Sequence, residues 1–242
     1  MVEEKRKAII IGASSGIGKE LAKILSKDGY TLGLAARRIE LLKTLQGELK
    51  TESFVQHIDL SHPDEAMNGL NGLIQAMDGT DLVIICSGTG YLNPDLDWDK
   101  EKATVDVNVT GFAALANTAL KYFLKEGKGH FVGISSIAAL RGSRHCPAYN
   151  ASKAFVSNYL EGLRSKVKKA GVNIAITDIQ PGLVDTAMAQ GEGLFWVQPP
   201  EKAARQIYQK IKQRKTHAYI TKRWGIIALI MKSMPRWLYD KL

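Results

Sequence analysis

The chain has 242 residues, is 45% hydrophobic and carries a net charge of +9, which supplies one full-sized core and does not call for two domains, so residues 1–242 are read as one unit. Its two cysteines, Cys86 and Cys146, are too few for a disulfide framework, and a charged N-terminus running directly into Ala8-Ile9-Ile10-Ile11 is not the pattern of a signal peptide. No apolar run approaches the roughly 20 residues needed to span a bilayer, so a reducing, cytoplasmic compartment with free thiols is expected.

Short apolar runs alternate with longer stretches of helical period, the pattern of an α/β fold with a parallel sheet wrapped by helices. The predicted strands are Lys7 to Ile11, Thr31 to Ala36, Ser53 to Asp59, Leu82 to Cys86, Gly129 to Ser135, Asn173 to Gln180 and Ala218 to Thr221. Seven strands suit one doubly wound sheet. Interiors such as Ile9-Ile10-Ile11 and Leu82-Val83-Ile84-Ile85 are nearly unbroken apolar residues, as expected of strands buried on both faces. No internal repeat, low-complexity tract or linker divides the chain.

The first predicted strand is followed by Gly12-Ala13-Ser14-Ser15-Gly16-Ile17-Gly18 and then by a helical stretch from Lys19 to Lys27. Glycines allow a sharp turn and a close approach to the backbone, and the free N–H groups and dipole of the helix start attract phosphate. Placed between strand and helix, the turn reads as a dinucleotide cradle, although its glycine spacing differs from the commonest fingerprint. The second strand ends in Ala35-Ala36-Arg37-Arg38, where an acid would bind ribose hydroxyls and an arginine pairs with a 2'-phosphate. Arginines at 37 and 38 therefore favour NADP(H) over NAD, and either could also cover the adenine. Asp59-Leu60 closes the third strand at the sheet's carboxyl edge, where the acid could accept a hydrogen bond from the adenine amino group.

The fourth strand enters Ser87-Gly88-Thr89-Gly90, small residues against which a cofactor can lie. A helical segment from about Asp97 to Lys125 contains Asn108, either a tolerated polar residue or a purposeful one. The fifth strand delivers Ser135 and Ser136. A loop then leads to Pro147, suited to a first helical turn, and to Tyr149-Asn150-Ala151-Ser152-Lys153. A tyrosine and a lysine four apart share one helix face, and a cation beside a phenol favours the phenolate. The sixth strand ends at Gln180-Pro181-Gly182-Leu183-Val184-Asp185-Thr186, and Met188, Leu194, Phe195 and Trp196 follow. These apolar side chains suggest either a substrate lid or a loop docked on the core.

Together Gly12-x3-Gly16-x-Gly18, Asn108, Ser136, Tyr149-x3-Lys153 and Pro181-Gly182 resemble the short-chain dehydrogenase/reductase family, in the family's order and spacing from about Lys7 to Thr221. The resemblance implies a three-layer Rossmann-type fold with a seven-stranded sheet and an oxidoreductase that moves hydride between a nicotinamide and a carbonyl or secondary alcohol. It implies that Tyr149 is the general acid, that Ser136 orients the carbonyl, and that Lys153 binds the nicotinamide ribose and keeps the phenol acidic. Asn108 would hold a water joining Lys153 to solvent. Ser136 is preferred to Ser135 because it lies thirteen residues before Tyr149. The cofactor would lie along Gly12, Ser14, Ser15, Gly16, Ile17, Gly18, Arg37, Arg38, Asp59, Leu60, Ser87 and Gly88, and along Asn108, Tyr149, Lys153, Pro181, Gly182, Val184 and Thr186. Leu183, Met188, Phe195 and Trp196 suggest an apolar substrate beside Ser136. No residue is assigned to a metal. Departures from the family pattern are Ile11 before the first glycine, where Thr is common, and Ile85-Cys86-Ser87-Gly88 where Asn-Asn-Ala-Gly is common.

The last stretch, 222–242, is a separate C-terminal amphipathic extension. From Arg214 to Leu242 seven basic residues face one acid, Asp240, and Trp224, Ile227, Ile230, Met231, Met234 and Leu238 recur at helical spacing until Pro235 ends or kinks the helix. Such a segment can lie on an anionic membrane as a peripheral contact, on the cleft, or on another subunit. No nucleic-acid module is present. The family resemblance favours a homodimer or homotetramer with a small-molecule carbonyl or alcohol substrate, and the alternative is a catalytically idle nucleotide sensor or scaffold that keeps the fold.

Overall fold

The computed structural model describes residues 5–186 and 195–239. In chain order it contains β1 (Lys7–Ile11), α1 (Gly16–Lys27), β2 (Thr31–Ala36), α2 (Ile39–Glu48), β3 (Ser53–His57), α3 (Pro63–Ala76), β4 (Leu82–Ile85) and α4 (Trp98–Val105). A π-helical turn over Asp106–Gly111 joins α4 to α5 (Phe112–Glu126). Then come β5 (Lys128–Ile134), a 3-10 turn (Ile137–Leu140), α6 (Pro147–Ala170), β6 (Asn173–Pro181), α7 (Pro200–Lys212), β7 (His217–Ile220), α8 (Lys222–Ser233) and α9 (Arg236–Tyr239).

All seven strands are parallel and form one sheet in the order β3-β2-β1-β4-β5-β6-β7. The predicted strands differ from these by two residues at most. The third is shorter than predicted because Ile58 makes only one further backbone bond to Ala36 (3.2 Å) before the chain turns at Asp59. The order reverses between β1 and β4, and the crevice at such a switch point, outside the carboxyl ends of the strands, is where open α/β sheets bind ligands.

Alternation along each strand splits the core into two layers. On one face Leu21 and Leu25 of α1, Leu42 and Leu45 of α2, and Ile207 and Ile211 of α7 pack on Ala8, Ile10, Leu34 and Ile84. On the other, Leu70 of α3, Leu115 and Phe123 of α5, and Val156 and Leu160 of α6 pack on Ile9, Ile11, Val83 and Phe131. Each such isoleucine or leucine, fully removed from water, contributes about 1.5–3 kcal/mol before entropy is counted. A third cluster, Ile137, Trp224 and Ala228 with Leu140, Leu183, Tyr219, Ile227 and Met231 at its margin, seats α8 over the carboxyl end of the sheet.

Candidate active site

Gly12 sits at φ +93°, a left-handed conformation costly for any residue with a Cβ, and its N–H donates to Ala35 O (2.7 Å). A Cβ on Gly18 would lie 2.2 Å from Gly12 O, and one on Gly12 2.6 Å from Ser87 N. The turn is thus pressed between the start of α1 and the end of β4, and the first N–H groups of α1 stay open at the sheet's carboxyl edge. Gly16 faces Thr186, whose Cγ2 is 3.1 Å from where a Cβ would stand. Ile17 turns back into the core. Such a cradle, closed to side chains and lined by helix-start amides, fits a dinucleotide.

Arg38 reaches back across this turn. Its Nη2 donates to Ser14 Oγ (3.0 Å) and Ser15 Oγ (2.7 Å), so one guanidinium and two hydroxyls form a polar patch beside the first turn of α1. Arg37 lies near Asp59. Partial burial works against ionisation of the Asp59 carboxyl, but Ser61 N–H (3.0 Å), Ser61 Oγ (2.8 Å) and the Arg37 charge together hold its pKa below the usual carboxylate value. Asp59 Oδ1 is therefore occupied by Ser61. Leu60 departs from the sequence reading, because its side chain is buried in the core and leaves only backbone for a ligand.

Helix α6 begins at Pro147 and carries Tyr149 and Lys153 one turn apart. Lys153 is 4% exposed and its Nζ donates to Ile134 O (3.1 Å), 5.7 Å from the centre of the Tyr149 ring. Burial lowers the Lys153 pKa to about 8, and nearby Asp178 and Cys86 oppose that fall. The Tyr149 phenol departs from the expectation that Lys153 keeps it acidic. Burial pushes its pKa above the ordinary tyrosine value, and the hydrogen-bonding hydroxyl of Ser136 pulls the other way.

Ser135 and Ser136 diverge as alternation requires. Ser135 Oγ donates to Asp178 Oδ1 and to Ile179 O (3.2 Å), whereas Ser136 faces Tyr149 and accepts from Ala138 N–H (3.1 Å), capping the 3-10 turn. Of the two serines, Ser136 is the one beside Tyr149, and Ser135 is tied to Asp178. Asp178 is itself tied by Ser157 Oγ (2.6 Å) and Gln180 Nε2 (2.9 Å).

Asn108 lies inside the π-helical turn and is 2% exposed. Its Nδ2 donates to Thr89 O (2.7 Å) and Ser152 Oγ (2.9 Å), and its Oδ1 accepts from Thr89 N–H (2.8 Å). The side chain braces the loop after β4 and the start of α6, so the water role assigned to it would fall to another of its atoms. Ser152 Oγ completes the brace by donating to Tyr149 O (2.7 Å). Gly88 is narrow: a Cβ there would lie 3.3 Å from both Asn108 Oδ1 and Lys153 Nζ.

After β6, Gly182 N–H donates to Ile220 O (2.6 Å), and a Cβ on Gly182 would stand 2.2 Å from the Trp224 indole. Pro181 closes β6. Leu183 joins the cluster under α8, while the Val184 side chain turns into the core and leaves its backbone to pair with Gln198. Phe195 and Trp196 are half-exposed and sit 5.4 and 6.4 Å from the Trp224 ring, centre to centre. Met188 falls outside the described residues.

Four positioning residues lacked a sequence signal strong enough to single them out. Gly90 packs on the Tyr149 ring, with Cδ2 2.5 Å from where its Cβ would be. Asn150 Nδ2 donates to Ala138 O (3.0 Å) and Arg141 O (2.7 Å), fixing the loop between Ser136 and Tyr149. Ser152 links Asn108 to α6, and Trp224 roofs Gly182. The first three lie within or beside motifs already noticed. Trp224 was assigned to the tail because only the topology brings β7 beside β6.

Residues 6–194 match the family described as short chain dehydrogenase. The chain belongs to the short-chain dehydrogenase/reductase family of oxidoreductases. An uncharacterized oxidoreductase of Myxococcus xanthus is 34% identical over 188 residues, covering 76% of this chain and 74% of that protein. Among solved structures, a short-chain dehydrogenase from Sphingobium yanoikuyae in complex with NADPH superimposes with a TM-score of 0.80 at 20% identity, covering 96% of this chain and 97% of its own. One from Burkholderia phymatum in complex with NAD gives 0.81 at 20% identity, covering 95% and 94%. At such identity these two likenesses concern the fold.

Proposed function

We propose that this protein is an NADP(H)-dependent oxidoreductase that interconverts an apolar carbonyl compound and its secondary alcohol. The observation that carries the reading is the grouping of the half-buried Tyr149 phenol with the Ser136 hydroxyl that acts on it and with the Lys153 ammonium, one helical turn on and 5.7 Å from the ring centre. A tyrosine phenol is protonated at neutral pH, so Tyr149 has a proton to donate to a carbonyl oxygen as that oxygen gains negative charge. When bound, a nicotinamide cofactor supplies the hydride. Ser136 orients the carbonyl oxygen toward Tyr149, and in the alcohol direction the phenolic oxygen takes the proton back. Lys153, its ammonium held by Ile134 O, binds ribose hydroxyls and restores the proton of Tyr149.

The Gly12-to-Gly18 turn and the helix start would hold the pyrophosphate. The Arg38 guanidinium with the hydroxyls of Ser14 and Ser15 would take the 2'-phosphate, which supports NADP(H) over NAD. Leu183, Phe195, Trp196 and Trp224 offer an apolar wall, which supports an apolar substrate. Membership of the family supports a homodimer or homotetramer, and the free cysteines Cys86 and Cys146 support a reducing, cytoplasmic compartment. Among the described residues no helix is long and apolar enough to cross a membrane. The test is NADPH consumption across a panel of ketones, aldehydes and quinones. Tyr149→Phe should slow turnover about 10²–10⁴-fold, and a variant as fast as wild type on every substrate would refute the assignment.

A further inference from the structure

Helix α8 is apolar on two sides. Trp224, Ile227, Ala228 and Met231 pack on Ile137, Leu140, Leu183 and Tyr219. Ile226 (63% exposed), Leu229 (69%) and Ile230 (48%) turn to solvent, and their spacing of three and four places them on one face. Arg223, three residues before Ile226, is exposed at the edge of that face, with its guanidinium 5.7 Å from the centre of the Trp196 ring. The amphipathic reading of the sequence is corrected here: Ile230 and Leu238 belong to the exposed side, and Ile226 and Leu229 join them. The chain turns at Met234, in the extended conformation usual before proline, and α9 then presents Trp237, 65% exposed.

This hairpin is held to the body of the protein. Arg141 donates to Met231 O (2.9 Å) and to Met234 O, its guanidinium lies over the Tyr239 ring, and Tyr239 Oη donates to Gly142 O (2.6 Å). The exposed apolar face therefore stands at a fixed angle beside the cleft. Lys232 and Arg236 are exposed in the same hairpin, Lys232 at the flank of the helix with its ammonium 5.9 Å from the centre of the Tyr219 ring, and from Lys222 to Tyr239 the sequence has no Asp or Glu.

Charge decides what covers such a face. A two-fold contact between copies would bring Arg223, Lys232 and Arg236 toward their own counterparts with no acid in the segment to pair them. An anionic bilayer reverses the sign of that interaction, accepts the aliphatic side chains at the acyl boundary and suits an indole at headgroup depth. We propose that the α8 face bearing Ile226, Leu229 and Ile230, with Trp237, Arg223, Lys232 and Arg236, docks on an anionic membrane surface. The opposite face of the same helix lays Trp224 on Gly182, so docking sets the cleft against the bilayer. Resting on the reductase reading for this clause alone, the substrate class is an amphiphilic, lipid-soluble carbonyl compound.

The test is sedimentation of the full chain with vesicles of phosphatidylglycerol and phosphatidylcholine, against phosphatidylcholine alone. Wild type should sediment with the anionic vesicles and be weakened by salt. Each cation near the surface contributes about fivefold, so Arg223→Gln with Lys232→Gln and Arg236→Gln should weaken binding about 100-fold. Ile226→Ser with Leu229→Ser and Ile230→Ser should also lose binding while keeping the wild-type thermal midpoint. Equal sedimentation of wild type and both variants would overturn the proposal. So would failure of wild type to bind together with a larger assembly, seen by ultracentrifugation, that the serine variant dissociates. Turnover of a water-soluble ketone reads the reductase assignment separately, since the serine variant should keep it whether or not it binds vesicles.

Discussion

The side-chain amide of Asn108 pairs in both directions with the backbone of Thr89, donating to its carbonyl at 2.7 Å and accepting from its N–H at 2.8 Å. A residue in the middle of a long helical segment thus substitutes for a strand partner and fixes the loop that follows β4. Asn108→Ala would strand both Thr89 groups and should cost about 2–4 kcal/mol in urea unfolding. Ser152→Ala removes two bonds of the same network, from Asn108 Nδ2 and to Tyr149 O, but leaves Thr89 paired, and should cost about 1–2 kcal/mol. A reversed order of the two costs would contradict this account.

Gly90 gives a sharper handle on Tyr149, because an alanine there would place a methyl 2.5 Å from ring Cδ2. The ring must move, and a displacement on the order of 1 Å in a reacting group lowers turnover about 10²-fold. Gly90→Ala should therefore show that fall in kcat, with a KM for NADPH changed by less than about threefold. Steady-state kinetics on a variant of unchanged melting temperature would check it.

The pH profile of reduction follows from Lys153, whose buried ammonium has its pKa lowered to about 8. Below that pH the cation is present, and above it the cation is lost. The kcat/KM for carbonyl reduction, which reports groups of the free enzyme, should fall above pH 8. Lys153→Met should be slow at every pH and lack that limb. An activity flat to pH 10 in wild type would exclude Lys153 as the titrating group.

Cofactor preference is expected to rest on Arg38, the residue that bonds Ser14 and Ser15. Arg38→Ala should raise the KM for NADPH about 10–100-fold, the loss of one charge-assisted phosphate contact, and leave that for NADH nearly unchanged. Adding Arg37→Asp should move the preference toward NADH. An unchanged ratio in both variants would refute the assignment.

Stability toward acid should depend on His130, buried between β5 and β6 with its Nε2 2.8 Å from Thr177 Oγ1. Burial, with a smaller effect of Arg214, lowers its pKa from 6.5 to about 4. Between those values the unfolded chain binds the extra proton, so stability falls as pH drops from 6.5 toward 4, by about 3 kcal/mol in all. Comparison of wild type with His130→Gln by denaturant titration at pH 7 and pH 4.5 should show a smaller loss in the variant.

The strands were legible because burial on both faces writes an unbroken apolar run, and Ile9-Ile10-Ile11 or Leu82-Val83-Ile84-Ile85 admits no amphipathic alternative of that length. That Tyr149 and Lys153 share one helix face was legible through spacing, and strand alternation separated Ser136 from Ser135. The π-helical turn was not, since hydrogen bonding to the fifth residue leaves no compositional trace in Asp106-Val107-Asn108-Val109-Thr110-Gly111. The Tyr149 phenol was misread because spacing reports which side chains share a face and not how much solvent each has lost. For Trp224 the sequence left the membrane, the cleft and another subunit open, because its contact with Gly182 joins the start of α8 to the end of β6 through the β6–β7 pairing that only the folded sheet defines.

The π-helical turn also constrains how this chain can change length. It takes one more residue than an α-turn to advance the helix, so it behaves as a single-residue insertion already absorbed between α4 and α5. Removing one residue from Asp106–Gly111 would restore regular winding and rotate everything before the deletion by about 100° relative to α5. Either Asn108 would leave Thr89, or the buried face of α5 would leave the sheet. Insertions and deletions should therefore be borne by the part of the loop between Gly90 and α4, beyond the Thr89 contact, and spare these six positions.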